Sequence, residues 1–307
     1  IMAYTTIDKS SLHFNTKLYT GTGAENAVTG INFQPDWTWI KSRNATYDHT
    51  LYDAVRGATK QLYSNHTNGQ YTEAQGLKSF DSDGFTNGTD AKGNNNGTTF
   101  VSWNWKANGS GSANSDGDIT STVSVNTTSG FSIVKYTGDG TTGQTVGHGL
   151  GSVPKLIINK QLTTQNWFVY HHSIGNTKVL KLNTTGAETT SSAWNNTTPT
   201  SSVFTIGTSA STNVSGENFI NYCFAEKQGF SKFGSYTGNG NDDGAFIYTG
   251  FKPAFILVKN AAITDNWSIF DNKRLGYNAF NYVLYADITN VGSNGLPIDI
   301  LSNGFKW

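Results

Sequence analysis

One five-residue phrase occurs three times, and that recurrence limits the fold more than any other feature. The copies are Tyr19-Thr-Gly-Thr-Gly23, Tyr136-Thr-Gly-Asp-Gly140 and Tyr236-Thr-Gly-Asn-Gly240. After each comes a proline opening a run that ends in lysine: Pro35-Asp-Trp-Thr-Trp-Ile-Lys41, Pro154-Lys-Leu-Ile-Ile-Asn-Lys160 and Pro253-Ala-Phe-Ile-Leu-Val-Lys259. The tyrosine lies 16, 18 and 17 residues ahead of the proline. Asp48–Asp53, Asn166–His171 and Asn266–Asp271 sit at matching offsets further on. Fifteen residues after Phe85 comes Phe100-Val-Ser-Trp-Asn-Trp-Lys-Ala107, and fifteen after Phe204 comes Phe219-Ile-Asn-Tyr-Cys-Phe-Ala-Glu226. One β-rich unit is therefore written three times. The expected organisation is a first repeat at 1–107, a Gly/Ser/Asn linker at 108–127, a second repeat at 128–228 and a third at 229–307. The third has no counterpart of the last apolar run, which suggests a chain cut short; a strand supplied by a neighbouring element is the alternative. With only Lys227-Gln-Gly229 between them, the second and third copies should pack rigidly, with the first held more loosely.

The proline-led runs read as strands. Their second and fourth positions after proline are apolar every time: Trp37 and Trp39, Leu156 and Ile158, Phe255 and Leu257. Alternate residues share one face of a strand, so these six side chains should point into three equivalent cores. The lysine falls on that same face, where its stem can lie along the core while the ammonium reaches water. An ion pair with Asp53 or Asp271 is a second possibility. In the last runs, Val101, Trp103 and Trp105, and likewise Ile220, Tyr222 and Phe224, alternate with a more mixed set that includes Cys223. Such alternation marks a sheet with one buried and one wetter face. Trp167 and Trp267 recur between copies and read as core. Thr-Gly-x-Gly, Asn-Gly and Asp-Gly steps supply tight turns. Helical periodicity is scarce, although residues 50–63 can hold a single turn. The fold class is all-β: three tandem antiparallel β-sandwich domains, jelly-roll or concanavalin-like.

The charge balance is even, 21 basic against 21 acidic residues. Nucleic acid is thereby disfavoured, since it needs a basic surface to displace counterions. No apolar run suffices to span a bilayer, so membrane insertion is not expected. Met2-Ala3 reads as a natural start, and residues 1–30 show no signal-peptide pattern. Catalytic motifs are hard to assemble, and the chain is not read as an enzyme. His171 and His172 face opposite ways on a strand. His148 stands between two glycines, which could expose its imidazole. Asp81-Ser-Asp83-Gly84 looks like part of a calcium loop. Asp81 and Asp83 are nevertheless read as turn-capping groups, because the third copy has Leu301 where Asp81 stands; no cofactor is expected, with Ca²⁺ the weak alternative. Aromatic residues make up 13% of the chain. Rings with a polar tip suit glycans and protein interfaces. The candidate glycan contacts are Trp194, His148 and Tyr170. Trp194 lies among Ser, Asn and Thr and belongs to a loop, either exposed or folded back over the end of the barrel.

Several stretches together resemble a family of phage virion proteins common in marine phage genomes. In the first copy these are Met2-Ala-Tyr-Thr-Thr-Ile7, Phe33-Gln-Pro-Asp-Trp-Thr-Trp-Ile-Lys41, Tyr52-Asp-Ala-Val-Arg-Gly57, Phe80-Asp-Ser-Asp-Gly-Phe85 and Ser102-Trp-Asn-Trp-Lys-Ala107. The second copy adds Gly147-His-Gly-Leu-Gly151 and Cys223-Phe-Ala-Glu226, and the third adds the run from Gly229 to Gly240. The resemblance covers nearly the whole chain. It implies a structural subunit of the virion, most simply a tail-fibre or receptor-binding protein that contacts host surface glycans and other virion proteins. A lectin-like fold and a homotrimer follow from the same resemblance. A head-decoration or capsid-fibre protein is the alternative, and a glycan-degrading tail enzyme is the rival from another class.

Overall fold

The computed structural model describes residues 4–274 and 282–307; Met2 and Ala3, read above as a start, lie outside the described residues. Strands follow the repeat. In the first unit the opening strand Phe14–Thr20 pairs with the closing strand Thr99–Trp105. The closing strand pairs on its other side with the proline-led strand Trp37–Ser42, which pairs in turn with the return strand Thr50–Asp53. The second unit repeats this order with Phe131–Thr137, Asn218–Ala225, Pro154–Gln161 and Trp167–His171. All of these ladders are antiparallel. The closing strand, last in sequence, is therefore central in space. Registers agree to the residue, with Trp39 opposite Trp103 and Ile158 opposite Tyr222. In the third unit the proline-led strand Phe255–Val258 pairs with Ser268–Asp271, and that strand with Leu284–Tyr285. Among the described residues no strand flanks Phe255–Val258 on its other side.

A smaller sheet completes each unit as a second layer. It is built from Asn26–Thr29, Gly84–Asn87 and Leu77–Asp81 in the first unit. Thr145–Gly147 with Val203–Thr205 serves in the second, and Phe246–Tyr248, Gly304–Lys306 and Asp299–Leu301 serve in the third. The chain is thus an all-β sandwich fold, as the alternating pattern implies. Helix is confined to short turns. These are Ser10–Leu12 and Ala91–Asn94; residues 50–63 hold no helix, only a single tight turn closed by the Gly57 N–H on the Asp53 carbonyl at 3.0 Å.

Residues 108–127 are not a linker. Ser112–Asn114 and Ser121–Asn126 join the second unit's main sheet. The run Ser121-Thr-Val-Ser-Val-Asn126 alternates as a half-buried strand does, and its Val123 is buried. Nor is the first unit loosely held. Asp36 accepts the N–H groups of Ala107 at 2.6 Å and Gly109 at 3.1 Å, pinning the crossing between units.

The six inward residues do not fill three separate cores. They meet in one cluster shared by all three units, together with Trp103, Trp105, Tyr222, Trp167 and Trp267. The ring of Trp37 stacks on Tyr222 of the second unit at 4.1 Å, and Phe255 of the third meets Trp103 of the first at 5.7 Å. Each main sheet turns its other face to a local core beneath its small sheet. Ile40, Phe85 and Phe100 fill the first, Ile157, Phe204 and Phe219 the second, and Ile256, Phe270 and Phe305 the third. Both faces of the second unit's main sheet are covered where Cys223 stands, so Cys223 is fully buried, not half-buried as its mixed strand face suggested.

Two closed rings of hydrogen bonds fasten the units around this shared core. In the first ring His49 Nε2 donates to the Tyr285 carbonyl at 2.8 Å, Trp167 Nε1 to Tyr63 at 2.8 Å and Trp267 Nε1 to Lys181 at 2.9 Å. The three donors hold matched positions in the repeat, and so do the three acceptors. His49 accepts from Trp39 Nε1 on its Nδ1 at 2.8 Å, which leaves Nε2 as the protonated donor. In the second ring the Gly292 N–H reaches the Arg43 carbonyl at 3.1 Å, Gln70 reaches Leu162 at 2.8 Å and Glu188 reaches Ala261 at 2.8 Å. First donates to third, second to first and third to second in the first ring, which is a pseudo-threefold closure.

Two of the three repeated lysines, Lys41 and Lys160, are part of this fastening and do not escape to water, whereas Lys259 is only half-buried and bonds the carbonyls of Asn260 and Ile263 in its own unit. Lys41 and Lys160 are fully buried. Lys160 Nζ donates to the carbonyls of Gln161, Thr163 and Gln165 and, at 3.2 Å, to Thr67 of the first unit. Lys41 Nζ reaches Thr289 of the third unit at 3.0 Å. Burial lowers the Lys41 pKa to about 8 and that of Lys160 to about 7. Neither uses the ion pair with Asp53 or Asp271, because those carboxylates are held by arginines of their own.

Candidate functional site

Two clefts open where units meet, and they occupy equivalent positions. The first, of about 360 Å³, lies between Arg56, Lys60 and Gln70 of the first unit and Lys135, Thr163, Glu217 and Asn218 of the second. The other, of about 200 Å³, lies between Arg274, Tyr282 and Gly292 of the third unit and Arg43, Asn44 and Thr99 of the first. Counting from the repeated lysines and from Phe100 and Phe219, Leu162 matches Arg43, Thr163 matches Asn44 and Asn218 matches Thr99. Arg56 matches Arg274. The chain has three arginines, Arg43, Arg56 and Arg274, and all three line these clefts. That concentration sets the clefts apart from the otherwise weakly charged surface.

The floor is built the same way in both. Asp53 and Asp271 end their return strands, and a tight turn brings an arginine back three residues later. Asp53 accepts the backbone N–H of Arg56 at 2.8 Å as well as its Nε, and Asp271 accepts Arg274 Nε at 2.6 Å. The closing strand of the next unit then delivers a donor to the same carboxylate. Tyr222 Oη donates to Asp53 at 2.8 Å, and Trp103 Nε1 donates to Asp271 at 3.0 Å. Burial opposes the charge on Arg56, but Asp53 and Tyr222 outweigh it and hold its pKa above the ordinary value. Burial likewise resists ionisation of Asp271, yet Arg274 beside it keeps the carboxyl below the usual range. Burial pushes the Arg43 pKa down, and Arg274 adds to that shift. The cleft walls present amides, hydroxyls and cations. Thr163 donates to Glu217 at 3.1 Å, and Asn44 accepts the Thr99 N–H at 3.0 Å. Such a lining can hydrogen-bond sugar hydroxyls, and its excess of cations suits an anionic substituent.

The residues singled out by sequence lie elsewhere. Trp194 is 1% exposed and packs edge-on against Tyr170 at 5.8 Å and near Phe204, inside the second unit's local core. Tyr170 is 2% exposed. The loop carrying Trp194 folds over the end of the sandwich, so its apolar neighbours come from distant sequence. His148 is buried too, with Nδ1 accepting the Leu150 N–H at 3.2 Å and Nε2 facing the Thr200 carbonyl. Trp194 and Tyr170 are brought together, but none of the three offers a ring to solvent. Asp81 accepts the hydroxyls of Ser79 and Thr86 at 2.8 and 2.7 Å. Asp83 accepts the N–H groups of Gly30 and Asn32 at 2.9 and 2.6 Å, which lowers its pKa. Both cap turns, and no group of three acidic, His or Cys side chains able to hold a metal occurs among the described residues. The clefts themselves escaped sequence reasoning. The usable signal was Asp53-x-x-Arg56 repeated as Asp271-x-x-Arg274, in a chain with few arginines.

No curated protein and no solved structure matches the chain. The model of one family, described as a domain of unknown function (DUF7483), matches residues 9–307, which include all three repeats and both clefts; the chain belongs to that family.

Proposed function

We propose that this chain is a structural protein of a phage virion, a tail-fibre or receptor-binding subunit whose seam clefts engage host surface glycans. The observation that carries the reading is the pair of equivalent clefts that gather all three arginines among amides and hydroxyls. The resemblance of the repeated motifs to phage virion proteins supports it from the sequence side. A chain with balanced charge, 21 basic against 21 acidic residues, and many Thr, Ser and Asn residues resists non-specific adsorption while leaving specific polar contacts available. Two weak sites on one body gain avidity on a polymeric ligand that repeats its own units. The ligand class is a polysaccharide bearing carboxylate groups, matched to Lys60, Lys135 and Arg43 at the cleft walls.

Binding of the purified chain to immobilised host surface polysaccharide tests this. Lys135→Ala and Arg43→Ala, each in one cleft, should weaken retention, and the double variant should lose most of it. Retention unchanged in the double variant would sink the cleft assignment, and released oligosaccharide would replace binding with hydrolysis. Mass spectrometry of purified virions should find a few copies per particle; hundreds of copies would place the protein on the head.

A further inference from the structure

One of the three matched ring donors can gain a proton. Trp167 and Trp267 fasten their seams through an indole N–H, which is a donor only and does not titrate. The seam between the first and third units is fastened instead by His49, whose ring is fully buried there. Its Nε2 donates to the Tyr285 carbonyl of the third unit, and its Nδ1 accepts Trp39 Nε1 of the first, each at 2.8 Å. A neutral imidazole satisfies both contacts, one as donor and one as acceptor. An imidazolium has two donors and no acceptor, so its Nδ1–H would confront the Trp39 N–H. The ring cannot take up a proton and keep both contacts.

The charges around the ring act in the same sense. Burial first, and then the Lys41 ammonium, hold the His49 pKa well below the ordinary imidazole value; the Tyr285 and Ile288 carbonyls oppose this, and Arg274 adds to the lowering. Asp48, next in sequence, bonds Asn65 and His66, and Asp287 on the facing stretch accepts the Trp267 N–H. That stretch is held to the first unit by a short row of bonds besides the one from His49. Ser64 Oγ donates to the Ala286 carbonyl at 2.6 Å, Lys41 Nζ to Thr289 at 3.0 Å and the Gly292 N–H to Arg43 at 3.1 Å. Residues 288–292 are half-buried or exposed, so this end of the seam can part at lower cost than the shared core.

We infer that the seam between the first and third units is a proton-sensitive latch: in acid, His49 takes up a proton and leaves its slot, and residues 285–292 part from the first unit while the seam fastened by Trp167 stays shut. Opening there takes apart the cleft walled by Arg43 and Gly292 and leaves the cleft at Lys135 intact. The latch is independent of what either cleft binds.

Amide exchange on the full 307-residue chain reads it, because the Gly292 N–H crosses this seam and the Gln70 N–H, at the matched position, crosses the seam fastened by Trp167. The opened seam gives His49 an ordinary pKa of about 6.5. Between pH 6.5 and 4.5 the open state should therefore gain on the closed one by up to about fiftyfold, and the protection factor of Gly292 should fall by that amount. Lys41 and Lys160, with pKa values of about 8 and about 7, change little over this interval. Gln70 should shift by no more than about threefold. His49→Gln, whose amide gives one hydrogen to Tyr285 and accepts one from Trp39 without titrating, should keep Gly292 protection level across the interval. A level Gly292 profile in the parent overturns the latch, as does an equally steep fall in His49→Gln. So does an equal loss at Gln70, which would make the event unfolding of the whole chain. The comparison of the two amides in the parent stands even where the variant fails to fold.

Discussion

Replacing Tyr222 by Phe removes one oxygen from the seam between the first two units and tests whether the shared core makes them unfold together. The ring is fully buried, and its stack on Trp37 at 4.1 Å survives the change. What is lost is the 2.8 Å bond from its hydroxyl to Asp53, together with the long 3.5 Å contact that the hydroxyl accepts from Arg56 Nη2. A hydrogen bond to a charged group contributes about 1.5–3 kcal/mol. Asp53 keeps the Nε and backbone N–H of Arg56, so its charge stays compensated and the larger penalty of an orphaned ion does not arise. The expected loss is therefore about 2 kcal/mol. Its effect on melting depends on the size of the cooperative unit. If all 307 residues melt together, unfolding entropy is about 0.6 kcal/mol/K and Tm falls by only about 3 °C. If a unit of about 100 residues melts alone, the same loss lowers its Tm by about 8–16 °C. Calorimetry should show one transition near 215 kcal/mol, scaling at about 0.7 kcal/mol per residue, shifted as a whole by the variant. Three resolved transitions, with the variant moving one or none of them, would refute coupling through the shared core.

Three further outcomes follow from buried groups. Lys160 has a folded pKa of about 7, held down by burial, against about 10.4 unfolded. Between those values the unfolded chain binds the extra proton, so stability should rise with pH above 7 and carry its full penalty below 7. The urea midpoint of the parent should therefore climb from pH 7 to 8.5 relative to that of Lys160→Met, and parallel curves would contradict the buried ammonium. Cys223 is wholly buried and burial pushes its thiol pKa up, so a thiol reagent should react no faster than the chain unfolds; fast labelling under native conditions would place it at the surface. A Cβ on Gly84 would stand 1.9 Å from the Val28 carbonyl oxygen. Gly84→Ala should cost about 1–3 kcal/mol by overpacking the small sheet, read as a lower urea midpoint.

Local features of the fold were legible because the repeat states each one several times. The proline-led strands, their alternating faces, the closing strands and the Asp83-Gly84 turn all follow from spacing. Which face looked inward to which core did not follow. Trp37 and Trp39 alternate with Thr38 and Ile40, and that pattern fits a strand with one buried face as well as one buried on both. The difference lies in contacts such as Trp37 on Tyr222, which join residues far apart in sequence. The lysines misled for the same reason. A strand-end lysine near a surface reaches water, but Lys160 ends against the carbonyl of Thr67 in another unit. Residues 108–127 were lost to composition, since Gly, Ser and Asn hide the alternation of Ser121–Asn126.

The clefts and the fastening of the units share one structural origin. Each arginine floor exists because an Asp at the end of a return strand holds an arginine three residues on, while the next unit's closing strand donates to that same Asp. A cleft therefore forms where a closing strand crosses a seam, which happens twice. At the remaining seam the crossing strand is absent among the described residues, and His171 with Ile174 replaces the Asp and Arg. Across that seam Trp267 still donates to Lys181 and the Glu188 N–H still reaches the Ala261 carbonyl. It follows that ligand affinity and unit docking are coupled at the first seam: Asp53→Asn, which weakens the hold on Arg56, should reduce both glycan retention and thermal stability. A variant that loses one without the other would separate cleft from clamp and show that the arginine floor serves only one of them.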